Sequence, residues 1–282
     1  MKEPKPSFAL VIHACDRYLF LFKGFEFFFN KYWDDRINCK KYFATEEIEV
    51  EIPGFTNIRS GKGEWSNRLR KILLEIEEEY IIYMQEDMWF AQQVDADSMN
   101  NVLAFSLEHK ILQFKLHSSE VYKTNPIDQV ISGLRVSKID NAKSNFLMSH
   151  QITIWNKDFL KAQLPKGEHP WRNERKGTKR LKKIDYTIYH LDMFAENGKP
   201  AINANLQEEK RSKYFTVSVN GTFSENILSL LDEISQSGDP AIKEYGQQIK
   251  FNFENNITHD GLSKPRKEDF FKKLRLAFKF KK

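Results

Sequence analysis

Two five-residue runs can tolerate almost no solvent. Phe8-Ala9-Leu10-Val11-Ile12 and Tyr80-Ile81-Ile82-Tyr83-Met84 are continuously apolar. A strand of that kind must be covered on both faces, as in a parallel sheet packed between helices. Between the two runs, Leu19, Phe22, Phe25, Phe29 and Trp33 recur at three- and four-residue spacing, which predicts a helix from Tyr18 to Trp33 lying on the sheet. Lys41 to Thr45 reads as a second strand. Leu69, Ile72, Leu73 and Ile76 predict a helix from Trp65 to Tyr80, capped by Ser66. The first 90 residues thus alternate strand, helix, strand, helix, strand, so the expected class is α/β with a mixed, largely parallel central sheet flanked by helices.

Further along, the pattern predicts helices over Asp97 to His109, Lys157 to Leu164 and Ser224 to Ser235, and strands over Ile111 to His117, Phe146 to Trp155 and Phe215 to Val219. Lys166 to Lys183 is polar and reads as a loop. No repeat or low-complexity linker interrupts the chain, and one domain is expected over residues 1–262. The segment that follows, 263–282, is different. Lys264 to Lys282 holds nine basic and two acidic residues, and Phe270, Phe271, Leu274, Ala277 and Phe278 fall among them at helical spacing. That combination predicts a basic amphipathic tail suited to an anionic membrane surface.

The 44 Lys+Arg against 39 Asp+Glu are too nearly balanced for a long polyanion-binding surface, so no nucleic-acid partner is expected. No apolar run approaches the ~20 residues of a membrane span. Cys15 and Cys39 are the two cysteines, which excludes a disulfide framework and a Cys-rich zinc site. These features predict a cytoplasmic protein, peripheral at the inner face of the cytoplasmic membrane through its tail.

In an open α/β sheet, ligands gather at the carboxyl ends of the parallel strands. Three such ends are polar here: His13 to Arg17, Thr45 to Glu47, and Gln85-Glu86-Asp87. The double carboxylate Glu86-Asp87 leaves a wholly apolar strand, a setting in which a hard cation is held by one or two carboxylates plus substrate phosphates. The passage Gly63-Glu64-Trp65-Ser66-Asn67-Arg68, a helix, and then Glu79-Tyr80-Ile81-Ile82-Tyr83-Met84-Gln85-Glu86-Asp87 resembles the GT-A nucleotide-sugar glycosyltransferases over about residues 8–90. Asn30-Lys31-Tyr32-Trp33 and Trp65-Ser66 are similar to a bacterial subgroup associated with surface polysaccharides such as capsule and lipopolysaccharide. In that family the strand ends in D-x-D; Gln85 stands at the first Asp and Asp87 at the second. The resemblance implies a GT-A fold and transfer of a sugar from a nucleotide-diphosphate donor to a hydroxyl of a glycan or lipid-linked glycan. It implies that His13, Asp16 and Arg17 lie beside the nucleotide, Glu46 near the base or ribose, Arg68 near the diphosphate, and Glu86 and Asp87 at the donor. Asp87 would hold the divalent cation, Mn²⁺ or Mg²⁺.

A second cluster follows the strand-like Ser149 to Trp155: Glu168, His169, Trp171 and Glu174 lie within seven residues. A sugar hydroxyl is very weakly acidic and needs a base, and an indole suits the apolar face of a pyranose. The resemblance places Glu168-His169 where the family carries an acceptor-side acid pair. The order expected for the base is Glu168, then Glu174, then His169, with Trp171 binding the acceptor. A P-loop, a Rossmann GxGxxG, GxSxG and HExxH are all missing from the sequence. The competing reading is a binding protein without turnover: a GT-A-like scaffold that holds a nucleotide or glycan, or a basic membrane-surface module.

Overall fold

The computed structural model describes residues 7–202 and 208–263. The chain divides into two compact units, the first ending at Val217 and the second beginning at Ser218. The basic tail expected over 263–282 lies, apart from its first residue, outside the described residues.

The first unit runs β1 (Phe8–His13), α1 (Leu19–Tyr32), β2 (Lys40–Thr45), β3 (Thr56–Arg59), α2 (Trp65–Glu75), β4 (Tyr80–Met84), β5 (Met88–Phe90), α3 (Ala96–Glu108), β6 (Gln113–His117), β7 (Thr124–Ile131), β8 (Leu134–Ile139), β9 (Thr153–Asn156), α4 (Lys157–Ala162), α5 (Pro170–Leu181), β10 (Tyr189–Glu196) and β11 (Ser212–Thr216). Its sheet has the order β3-β2-β1-β4-β9-β6-β10-β11-β5, with the β7–β8 hairpin joined through β8 to β10. β1 lies parallel to β2 and β4, β2 parallel to β3, and β10 parallel to β6 and β11. β9 runs antiparallel between β4 and β6. This is the expected mixed, largely parallel α/β architecture.

The apolar runs behave as their composition requires: every residue of β1 and β4 is buried. One face of this part of the sheet packs on the aromatic stripe of α1, where Phe22 and Phe25 meet Phe43 and Phe28 stacks on Trp89. A Cβ on Gly24 would fall 2.1 Å from the Trp89 ring, so only glycine lets α1 sit this close. The opposite face carries Ala9, Val11, Tyr42 and Ile81 against Leu69, Ile72 and Leu73 of α2. The two helices therefore cover the strands from either side and leave the carboxyl edge of β1, β2 and β4 to loops.

Several local expectations are corrected. α2 ends at Glu75 instead of continuing to Tyr80, and Ser66 does not cap it: Glu64 is the N-cap residue, without a side-chain bond. Residues 170–181, read as loop, form α5, with Pro170 in the first turn, where its missing N–H costs nothing. The strand expected from Phe146 shortens to Thr153–Asn156.

The second unit holds a short hairpin of β12 (Ser218–Val219) and β13 (Thr222–Phe223), then α6 (Leu228–Ser235) and α7 (Pro240–Glu254). Asn252 donates to the His259 carbonyl at 2.9 Å, fastening the segment after α7 to that helix. Among the described residues, no helix is long and apolar enough to cross a membrane.

Candidate active site

The parallel register sets His13 beside Ala44 and Ile12 beside Met84, so the loops after β1, β2 and β4 emerge at one edge. Hydrogen bonds interlock them. The Asp16 carboxylate accepts from the backbone N–H groups of Glu46, Glu47 and Ile48 at 2.8–3.1 Å, while Glu46 Oε2 accepts from the Asp16 N–H at 3.0 Å. Glu86 Oε1 accepts from the Cys15 N–H at 3.1 Å. The Arg68 guanidinium, 4% exposed, donates to the Ala14 carbonyl at 2.6 Å and to Ser60 Oγ at 3.0 Å, and meets Glu46 Oε1 at 3.4 Å. Of the seven residues expected on the donor side, these bonds interlock Asp16, Glu46, Arg68 and Glu86, and His13 and Asp87 stand at the ends of β1 and β4 beside them. The seventh, Arg17, is exposed at the same edge, its guanidinium over the Tyr18 ring and donating to the Tyr18 hydroxyl at 2.8 Å.

The environment gives some of these residues a different job from the one expected. Arg68 is buried and fastens the ends of β1, β2 and β3 together. His13 is buried, bonded through Nδ1 to the Tyr83 hydroxyl at 3.2 Å, and burial followed by the Arg68 charge holds its pKa well below normal. It is held neutral, with its buried Nε2 unpartnered among the described residues. Asp16 and Glu46 shape the loops through reciprocal bonds to backbone.

Asp87 remains chemically open beside Glu86. Glu86 is 3% exposed, and Asp87 carries a buried Oδ1 with no hydrogen-bond partner among the described residues. Burial raises both carboxyls above their ordinary range, and the Asp87 charge raises Glu86 further. Among the described residues no group of three or more His, Cys, Asp or Glu forms a metal cage. Two adjacent carboxylates with an unpartnered oxygen instead fit a cation that completes its coordination from substrate phosphates.

On the acceptor side, Glu168 is corrected. It is 6% exposed, and both its oxygens are taken: Arg180 donates to each at 3.0–3.1 Å and Asn173 to Oε2 at 2.8 Å. Burial acts to raise its pKa, but the Arg180 and Asn173 hydrogen bonds outweigh it and leave the group lowered. Its N–H donates to Ser66 Oγ at 2.9 Å, so Glu168 joins α2 to the start of α5. A carboxylate so held is a poor base. Glu174, from the inner side of α5, accepts the His150 N–H at 3.1 Å on Oε1, and among the described residues no other donor reaches it; burial raises its pKa. His169 and Trp171 are exposed, their rings 5.3 Å apart.

Sequence reasoning missed the groups facing Glu174. Lys115 is fully buried, donates to Ser149 Oγ at 2.7 Å, and lies over the Tyr122 ring. Burial lowers its pKa to about 7 against the opposing influence of Glu174 and Glu196. The Tyr122 hydroxyl bridges His117 Nε2 at 2.8 Å and Ser149 Oγ at 3.2 Å. Their sequence signal was period-two polarity: Gln113, Lys115 and His117 alternate with Phe114 and Leu116 along β6.

No family model and no curated protein matches the chain. Among solved structures, it is similar to S. aureus TarS at 12% identity and a TM-score of 0.44, covering 88% of this chain and 43% of TarS. For TarS 1–349 the values are 11% and 0.46, over 88% and 70%. For TarS 1–349 in complex with UDP-GlcNAc they are 12% and 0.42, over 88% and 71%. The chain thus spans less than half the length of the longer TarS structure.

Proposed function

We propose that this chain is a GT-A-type glycosyltransferase that moves a sugar from a nucleoside-diphosphate donor to a hydroxyl of a glycan acceptor, in bacterial envelope polysaccharide synthesis. The observation that carries this reading is the Glu86-Asp87 pair, buried at the end of β4, bonded to the β1 loop, with Asp87 Oδ1 unpartnered. Two adjacent buried carboxylates repel one another and lose hydration, so their ionised form calls for a cation. Glu86 and Asp87 would hold Mn²⁺ or Mg²⁺ together with the donor diphosphate. The cation would neutralise charge on the departing diphosphate. Arg17 adds a fixed positive charge at the same edge.

Glu174 acts as the base. The acceptor oxygen bonds to the anomeric carbon, the bond from that carbon to the diphosphate oxygen breaks, the diphosphate leaves with the electron pair, and Glu174 takes the hydroxyl proton. Its raised pKa makes it a better proton acceptor than Glu168, and Lys115 nearby favours its ionised form. A cytoplasmic location and a free or lipid-linked glycan acceptor belong to the same proposal. The test is release of nucleoside diphosphate from a panel of nucleotide sugars with Mn²⁺. The expected result is turnover of at least one donor by the wild type and its loss in Asp87→Asn with an unchanged melting temperature. Release from no donor, or full activity in Asp87→Asn, would overturn the proposal.

A further inference from the structure

Residues 166–183 contain eight basic and two acidic side chains, and the structure turns both acids inward: Glu168 onto Arg180 and Asn173, Glu174 onto the His150 N–H. The outward side of α5 and the turn after it is left with Arg172, Arg175, Lys176, Lys179, Lys182 and Lys183, all exposed. Among the described residues, none of these six pairs with a carboxylate. Elsewhere in the first unit exposed cations commonly do, as in Lys62–Glu47 at 2.7 Å, Arg36–Asp34 at 2.7 Å and Lys143–Asp140 at 3.1 Å.

Helix chemistry accounts for part of this pattern only. Lys179 at the carboxyl end complements the macrodipole. Arg172 in the first turn opposes it, and Arg172, Arg175, Lys176 and Lys179 stand three or four residues apart, where like charges destabilise a helix. Such an uncompensated stripe suits an anionic occupant. Trp171, 60% exposed, stands at the amino end of the stripe, and Glu174 leaves the same helix toward the interior.

We infer that the outer face of α5 is the docking surface for an acidic glycan, whose repeated anionic groups lie along the cations while a sugar ring stacks on Trp171. This rests on the proposed function, for which it names the acceptor class. A membrane surface fits less well, because within α5 Trp171 is the one large apolar side chain exposed, and an inserting helix needs an apolar face.

The test compares full-length wild type with the triple variant Arg172→Gln, Arg175→Gln, Lys176→Gln, titrated with oligoalginate, neutral dextran of the same length and phosphatidylglycerol vesicles at several salt concentrations. Oligoalginate is expected to bind the wild type and dextran to bind far more weakly. In the triple variant, with an unchanged melting curve, oligoalginate affinity at low salt should fall about tenfold or more. Its slope of log Kd against log salt should shrink by about two, near 0.7 for each cation removed. The inference is overturned if the wild type ignores oligoalginate, if dextran binds equally well, or if the triple variant keeps the wild-type affinity and slope. Loss of vesicle binding alone would also overturn it. Nucleoside diphosphate release by the wild type is measured separately. Were it missing while oligoalginate binding still depended on the three cations, the glycosyltransferase reading would fail and the docking surface would stand.

Discussion

The edge formed by β1, β2 and β4 and the helix α5 are both rich in charge, but the charges are used in opposite ways. At the edge, Asp16, Glu46 and Arg68 are committed to backbone, hydroxyl and one another, and together they fix the loops after β1, β2 and β3. On α5, among the described residues, the outward cations have no carboxylate partners and the helix's inward acid, Glu174, holds a single backbone N–H. Charged residues at strand ends are therefore often scaffold, and the groups left chemically open are those whose polar atoms the fold does not satisfy. Among the residues expected at the site, Asp87 with an unpartnered buried Oδ1 and Glu174 with one backbone N–H stand apart from Arg68 and Glu168, which are held by several partners each.

The largest expected effect separates the two acids on the acceptor side. Glu174→Gln should slow transfer by about 10²- to 10⁴-fold with little change in melting temperature. Because burial raises the Glu174 pKa, the wild-type rate should climb with pH through a limb above the ordinary glutamate range. A fully active Glu174→Gln would return the role of base to another group. Next in size is Arg68→Met, which strands the Ala14 carbonyl and Glu46 together. Removing this buried guanidinium, paired with the part-buried Glu46, costs about 3 kcal/mol, or roughly 6–12 °C in melting temperature for a unit of this size. An unchanged melting temperature would show that the loops do not depend on the clamp.

Smaller still is the effect of Glu168→Gln, about 1–3 kcal/mol through lost charge-assisted bonds to Arg180 and Asn173. Its pKa is lowered in the folded state, so its contribution is present above the unfolded value and lost as pH falls through the folded one. Wild type and Glu168→Gln should therefore differ in melting temperature at neutral pH and converge in acid. A difference that grew on acidification would contradict the assignment.

What could be read from the sequence followed burial. β4 spans Tyr80–Met84 as its apolar run requires, and β1 extends its run by one residue to His13. α5 was invisible because the residues it buries, Asn173, Gly177 and Leu181, include one large apolar side chain, so no helical hydrophobic period exists. Gly177 is itself a packing residue: a Cβ there would approach the Met148 side chain to 2.8 Å. The β7–β8 hairpin exposes most of β7 and shows no strong alternation. At the site, the strand ends were legible as places, but the division of labour among their side chains was not. Arg68 bonds partners 8 and 54 residues away, and no spacing rule anticipates that. The buried Lys115 was hidden because a cation inside a strand reads as solvent-facing, although its alternation with Phe114 and Leu116 marks a polar face under cover.

The central claim is that the open carboxylates at the end of β4 receive a nucleoside diphosphate with a divalent cation. Titrating a panel of nucleoside diphosphates into wild type and Asp87→Asn, with and without Mn²⁺, while following the melting temperature tests this most directly. At a hundredfold excess over the dissociation constant, a bound member should stabilise the wild type by about 2.7 kcal/mol. The account predicts that at least one member does so only when Mn²⁺ is present, and that Asp87→Asn abolishes the shift. No shift with any member, or an equal shift in Asp87→Asn, would contradict it.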